Sequence, residues 1–246
     1  MEGASLTPGD GAAAGRRVDA VVFDLFGTLV PEFTKEGFFG TVEEAARRLG
    51  VDVAAFREAW VASAPERQTG GWGSVEDGVR AICRAIGAPE PTDEAVAHAL
   101  EPRIEMYARD FRPRPGALET LAEVKARGYP IALISMCAPD TPGLWRASPM
   151  AALVDVEVFS CETGLRKPDP AIFRAACDRL GVAPERCLYV GDGAYGELTG
   201  ARAVGMTAYL VRDPELDPDD ALRPEPELAW DGPAVDDLRE LLDVLP

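Results

Sequence analysis

A chain of 246 residues with 47% hydrophobic side chains can bury a large core, either as one domain or as a core carrying an insertion. Its formal net charge of −17 argues against nucleic acid as a partner, because proteins that hold phosphate backbones present basic faces. No apolar run reaches the length of a membrane span, and Met1 to Arg17 lacks the apolar core of a signal peptide, so a cytoplasmic protein with no membrane partner is expected.

Residues 1–17 are small, polar and glycine-rich without periodicity, which predicts a disordered tail. The next stretch, V-D-A-V-V-F-D-L-F-G-T-L-V from Val18 to Val30, begins with an apolar run that lacks polar alternation. That is the habit of a strand buried on both faces of a parallel sheet, and it places Asp24 at the strand's carboxyl end, where open α/β sheets bind ligands. Gly27 permits a sharp turn there, and Thr28 offers a hydroxyl to an anion.

From Phe38 to about Leu100 the apolar residues recur at helical spacing. Val42, Ala45, Ala46 and Leu49 stop at Gly50, then Phe56, Ala59 and Trp60 follow, then Val79, Ile82, Cys83 and Ile86 stop at Gly87. The single histidine, His98, falls in this pattern and reads as a surface or cap residue, so the chemistry must run without histidine. Roughly one hundred residues separate the first strand from the second, where a crossover needs about a dozen. An inserted helical unit is the natural reading. Within it, Pro65 to Ser74 (P-E-R-Q-T-G-G-W-G-S) breaks the pattern and reads as a loop; Arg67 there can clamp a carboxylate or phosphate, and Trp72 can stack on a ligand.

Beyond Phe111 helices and strands alternate. A helix is expected over Pro115–Arg127, strands over Ile131–Ser135 and Leu153–Phe159, a helix over Ala171–Leu180, a strand over Cys187–Val190, a helix over Gly196–Val204 and a strand over Met206–Val211. Arg212 to Pro226, proline-rich and acidic, predicts an irregular loop, and Pro233–Leu245 a last helix. The fold class is α/β: a Rossmann-like parallel sheet core, residues 18–30 and 111–246, with an inserted α-helical cap, residues 31–110. Five cysteines, Cys83, Cys137, Cys161, Cys177 and Cys187, at irregular spacing without C-x-x-C predict reduced thiols rather than disulfides or a zinc site.

Four places at or just past strand ends carry distinctive residues: Asp24 with Gly27 and Thr28, Ser135, Lys167 in G-L-R-K-P-D-P, and Asp192 in V-G-D-G-A-Y-G-E-L-T-G-A. In order and spacing this resembles the helical-cap branch of the haloacid dehalogenase-like hydrolase superfamily. The resemblance implies a phosphatase or phosphoryl-transfer enzyme acting on a small phosphate ester. It implies Asp24 as nucleophile and Mg²⁺ held by Asp24, the Phe26 carbonyl and Asp192, with Glu197 steadying the metal's water. It further implies Ser135 and Thr28 as donors to the phosphoryl oxygens and Lys167 as the balancing cation. Phosphoryl transfer needs such parts: an in-line nucleophile, a divalent cation and donors for the equatorial oxygens. Lysine is also scarce, three residues (Lys35, Lys125, Lys167) leaving 22 arginines among the 25 basic groups, which favours a specific use for Lys167.

Two departures divide the reading. Most phosphatases of this family carry an acid/base aspartate two residues after the nucleophile, and here that position is Phe26, whose ring cannot transfer a proton. An aromatic there resembles the metal-independent 2-haloacid dehalogenases, so dehalogenation by the same aspartate is the alternative, with a catalytically impaired binding relative as a second. Asp192 points back to a metal, since pairing it with Asp24 without a cation is unfavourable; the second acid usual four residues on is Gly196, and Glu197 stands one residue late. Met136 and Cys137 follow Ser135 where relatives commonly have asparagine or glycine, so Met136 is expected beside the substrate. A compensating acid is sought in Asp140, Glu32 and Glu36.

Overall fold

The computed structural model describes residues 18–213, 217, 219, 221–222, 224–227 and 229–245; the tail expected over 1–17 lies outside the described residues. Strand β1 (Ala20–Phe23) leads into five helices, α1 (Lys35–Leu49), α2 (Val53–Ala62), α3 (Ala64–Gln68), α4 (Val75–Ala85) and α5 (Asp93–Asp110). Helix α6 (Ala117–Ala126) and strand β2 (Ile131–Ser135) return the chain to the sheet. Then come α7 (Thr141–Ala147), β3 (Val156–Phe159), α8 (Ser160–Thr163), α9 (Pro170–Leu180), β4 (Cys187–Gly191), α10 (Glu197–Ala203), β5 (Thr207–Val211), β6 (Ala234–Val235) and α11 (Leu241–Val244).

The six strands form one sheet in the order β3-β2-β1-β4-β5-β6, every pairing parallel. Successive β1 residues feed opposite faces: Val21 and Phe23 pack with Leu121, Val124 and Trp145, whereas Ala20 and Val22 pack with Ile172, Phe173 and Leu198. Burial of both faces explains the unbroken apolar run. β1 lies between β2 and β4, the point at which the chain's crossovers reverse direction, so the site expected at this edge sits at the sheet's topological switch.

The helical insertion is punctuated by its own caps. The side chains of Thr34, Asp52, Ser74 and Thr92 accept hydrogen bonds from the backbone N–H groups of Gly37, Ala55, Asp77 and Ala95 at the starts of α1, α2, α4 and α5, each cap contributing about 1 kcal/mol. Its apolar faces meet in a cluster drawn wholly from residues between Val42 and Leu100. His98 is exposed and pairs with Glu101, as a surface residue. Among the described residues no helix is long and apolar enough to cross a membrane.

Several boundaries differ from expectation. The helix expected over Pro233–Leu245 is a sixth strand, β6, then a short 3₁₀ turn at Leu238–Glu240 and the single helical turn of α11. β6 is only two residues long and its backbone completes a ladder with Leu210 and Val211, a tertiary pairing that local periodicity cannot signal. The loop expected over Pro65–Ser74 begins as α3, because Pro65 occupies the first turn, where its missing N–H costs nothing. Leu153 belongs to a 3₁₀ turn rather than to β3.

Candidate active site

Adjacent strands bring the predicted residues to one edge. Asp24 follows β1, Ser135 ends β2, and Asp192 follows β4; the Asp24 N–H donates to the Val190 carbonyl at 2.9 Å, locking the two loop entries together. Two glycines make room for the carboxylates. At Gly27, φ is +75° and a Cβ would lie 2.6 Å from Asp192 Oδ2; at Gly191 it would lie 2.1 Å from Glu197 Oε1.

Lys167, from the loop between α8 and α9, is completely enclosed and donates its ammonium to Asp24 Oδ1 and, at 2.6 Å, to Glu197 Oε2. Glu197 also accepts from the Tyr189 hydroxyl at 2.7 Å and the Gly193 N–H at 2.9 Å. Both its oxygens are therefore engaged in holding Lys167, Tyr189 and the loop after β4. Asp192 Oδ1 accepts from the Ala194 N–H at 3.0 Å.

Three carboxyl groups meet here. Asp24, Asp192 and Glu197, all buried, each bring a carboxylate oxygen within 4.8 Å of the others. The Lys167 ammonium bonds two of them, Asp24 and Glu197. Burial, then Glu197, pushes the Asp24 carboxyl up to about 8 against an ordinary 3.8. Burial alone would depress Lys167, but Asp24 and Glu197 more than offset it and raise it above the ordinary lysine range. A buried set of three hard carboxylate donors could hold a divalent cation of the Mg²⁺ type.

Thr28 Oγ1 and Ser135 Oγ are buried without a hydrogen-bond partner among the described residues, although Ser135 faces the Cys137 thiol. Unmet hydroxyls at the same sheet edge suit an incoming oxyanion.

A cavity of 340 Å³ opens beside Asp24, lined by Phe26, Met136 and Cys137 from the sheet edge and by Phe38, Trp60, Arg67, Gln68, Arg103 and Tyr107 from the insertion. The Met136 sulfur accepts from the Lys167 N–H at 3.3 Å. Phe26 packs against Phe33 and Phe111, with ring centroids 5.1 and 6.1 Å away. Gln68 Nε2 donates to the Tyr195 hydroxyl at 2.7 Å, joining the insertion to the loop after β4. Tyr195 itself holds a left-handed backbone, φ +55°, uncommon for a bulky residue, and its N–H is anchored on the Pro224 carbonyl at 2.8 Å.

Arg67 reaches the cavity, but Trp72 does not. Its ring is buried in the insertion's own cluster, edge-on to Trp60 at 5.6 Å and pressed on Gly78, where a Cβ would lie 2.0 Å from it. Of the proposed substitute acids, Asp140 is bound to Arg103 at 2.6 Å and lies outside the cavity lining, as does Glu36, whereas Glu32 lines it. Tyr189, Arg103 and Tyr195 escaped the sequence reading. Arg103 left a signal: it continues the stripe Val96, Ala99, Leu100 at helical spacing, a charge on an apolar face.

A model of haloacid dehalogenase-like hydrolases matches residues 18–205. The chain belongs to this family. It is 35% identical over 165 residues to a phosphoserine phosphatase of Thermus thermophilus, covering 65% of this chain and 60% of that one, so it spans less than two thirds of that relative's length. It is 31% identical over 248 residues to a ribulose-1,5-bisphosphate 5-phosphatase of Halopiger xanaduensis, 92% of this chain and 98% of the relative. It is also 30% identical over 132 residues to (S)-2-haloacid dehalogenase 4A of Burkholderia cepacia, 49% of this chain and 57% of that one. The family is one of hydrolases, and the chain has relatives on both sides of the division that Phe26 and Asp192 pose.

Proposed function

We propose that the protein is a Mg²⁺-dependent phosphatase of a small organic phosphate, working through an aspartyl phosphate on Asp24. The observation that carries this reading is the meeting of Asp24, Asp192 and Glu197 in one buried cluster. Such a cluster is costly without a cation and useful with one. Mg²⁺, held by Asp24, Asp192 and the Phe26 carbonyl with Glu197 beside its water shell, would supply charge cancellation between carboxylate and phosphate.

The protein's own residues divide the remaining work. Asp24 attacks phosphorus; its new O–P bond forms as the ester O–P bond breaks and the leaving oxygen departs as an alkoxide that takes its proton from solvent water, and a second water later cleaves the acyl phosphate, giving up its proton to solvent as inorganic phosphate leaves and Asp24 is restored. Lys167 fixes the attacking carboxylate, Glu197 fixes Lys167, and Ser135 and Thr28 donate to the phosphoryl oxygens. The insertion, residues 31–110, acts as a cap over the core of 18–30 and 111–246, and the Gln68–Tyr195 bond is the contact that its closure makes to exclude water.

The second reading, a metal-independent 2-haloacid dehalogenase, is favoured by one observation: Phe26 stands in the cavity where a proton donor is usual, and expelled halide needs none. Phosphate release from small phosphomonoesters with and without EDTA, run beside halide release from 2-haloacids, separates the two. EDTA-sensitive phosphate release is the expected result. Halide release indifferent to EDTA reverses the assignment, and no release of either kind leaves a binding relative.

A further inference from the structure

The cavity is lined by a guanidinium that no described residue neutralises. Arg67 is only 6% exposed, and its Nη1 donates to the Trp60 carbonyl at 2.8 Å and to Ser63 Oγ at 3.1 Å. Its guanidinium lies over the Trp60 ring at 4.7 Å and near that of Trp72 at 5.3 Å. These contacts aim the group without cancelling its charge: among the described residues no carboxylate comes within ion-pair distance of it. Burial first, then the neighbouring Arg103, lowers it to about 10.

Arg103, 4% exposed on α5, shares the same wall of the cavity. It spends Nε and Nη2 on Asp140, at 2.6 and 3.2 Å, and Nη2 also on the Tyr107 hydroxyl at 3.0 Å, but Nη1 is buried with no partner among the described residues. The indole N–H of Trp60 is likewise buried and unpartnered. Two guanidiniums thus share one carboxylate. An uncompensated charge taken out of water is strongly destabilising, and an unmet donor adds to the cost. A protein that keeps both, facing the nucleophile's cavity, has a use for an anion there. Glu32 and Glu225 line the same cavity, neither within ion-pair distance of these arginines, so they do not supply that anion. Arg166 also borders the cavity but is exposed and solvated, and carries no such argument.

We infer that Arg67 and Arg103 Nη1 form a second anion subsite, so that the substrate carries an oxyanion, carboxylate or phosphate, at the end opposite its reacting phosphoryl group. This rests on the phosphatase reading and narrows it to doubly anionic phosphate esters. Phe26, Phe33, Phe38 and Trp60 line the same cavity and offer apolar surface to the ligand's carbon chain. Guanidinium suits the task, since its planar fork matches a carboxylate or phosphate in paired hydrogen bonds.

Three non-hydrolysable ligands with the same carbon chain test this by calorimetry in Mg²⁺: propylphosphonate, 3-phosphonopropionate and propane-1,3-diphosphonate. Wild type is expected to bind one of the two doubly charged ligands at least tenfold more tightly than propylphosphonate, and the better of the two names the second anion. Arg67→Gln is expected to reduce that preference below threefold, and Arg67→Lys to keep part of it. Equal binding of all three by wild type overturns the subsite while leaving the phosphatase reading intact. Binding of none overturns both. A preference that survives in Arg67→Gln overturns the assignment to Arg67; should that variant fail to fold, the wild-type comparison decides alone.

Discussion

Lys167 and Glu197 form a 2.6 Å ion pair whose side chains retain 1% and 0% of their surface. Glu197 thereby sets where the ammonium stands against Asp24. Glu197→Gln removes the anion but keeps the shape, and is expected to lower turnover about 10- to 100-fold, the usual scale for an outer residue that orients a reacting one. Glu197→Ala strands Lys167, Tyr189 and the Gly193 N–H together, and is expected to cost about 3–5 kcal/mol in urea denaturation. Full activity in Glu197→Gln would show that Lys167 finds its place without it.

Metal and proton compete for Asp24. Without metal the folded protein keeps a proton on this carboxyl up to about pH 8, whereas the unfolded chain releases it near 3.8. Between those values the folded state binds more protons, so the stability of the EDTA-treated protein falls as pH rises through the window. Mg²⁺ must displace that proton at low pH and need not at high pH. The rise in Tm on adding Mg²⁺ is therefore expected to be larger at about pH 8.5 than at about pH 6. A rise independent of pH would remove Asp24 from the ligand set.

With Phe26 unable to donate a proton, an activated aryl phosphate is expected to turn over faster than an alkyl phosphate by more than its leaving group alone accounts for, general acid/base losses being about 10²- to 10⁴-fold. Phe26→Asp is expected to raise alkyl phosphate turnover specifically. If wild type already cleaves alkyl esters well, Glu32, the one of the three proposed substitute acids that lines the cavity, is the residue to replace, and Glu32→Gln should then abolish that activity.

Gly27→Ala introduces one carbon. It would meet Asp192 Oδ2 at 2.6 Å on a backbone with φ +75°, so the carboxylate must move or the turn must open. We expect a loss of about 1–3 kcal/mol in stability together with a weakened Mg²⁺ response in the thermal shift. A stable variant with an unchanged Mg²⁺ response would mean that Asp192 does not depend on this turn.

The sheet could be read from the chain because buried strands write themselves as apolar runs, and Asp24, Ser135 and Asp192 stand at or just past the ends of such runs, whereas Lys167, in the loop between α8 and α9, was singled out by its motif and the scarcity of lysine. What escaped was made by distant parts meeting. β6 exists only because Leu210 and Val211 offer it a ladder. Glu197 reads along the chain as a late metal acid, and its bonds to Lys167 and Tyr189 appear only in three dimensions. Trp72 looked like a ligand platform in a glycine-rich loop; Gly78, one helix later, supplies the space that buries its ring. Arg103 lay in plain view as a charge on an apolar stripe, but its role depends on Asp140, 37 positions away.

The apolar cluster of the insertion, from Val42 to Leu100, shares no member with the two clusters that sandwich the sheet. Phe33, Met106 and Tyr107 form a small fourth cluster, touched by Phe26, which also packs on a sheet cluster, and by Phe38, which also packs on the insertion's. Two cores with so narrow a bridge are expected to behave as separate cooperative units, able to open independently. Amide hydrogens of α1, α2, α4 and α5 should therefore exchange through an opening that leaves β1, β2 and β4 protected. A ligand touching both Asp24 and Arg67 ties the units together, so its binding energy should appear as slowed exchange in the weaker one, far from any atom that it contacts.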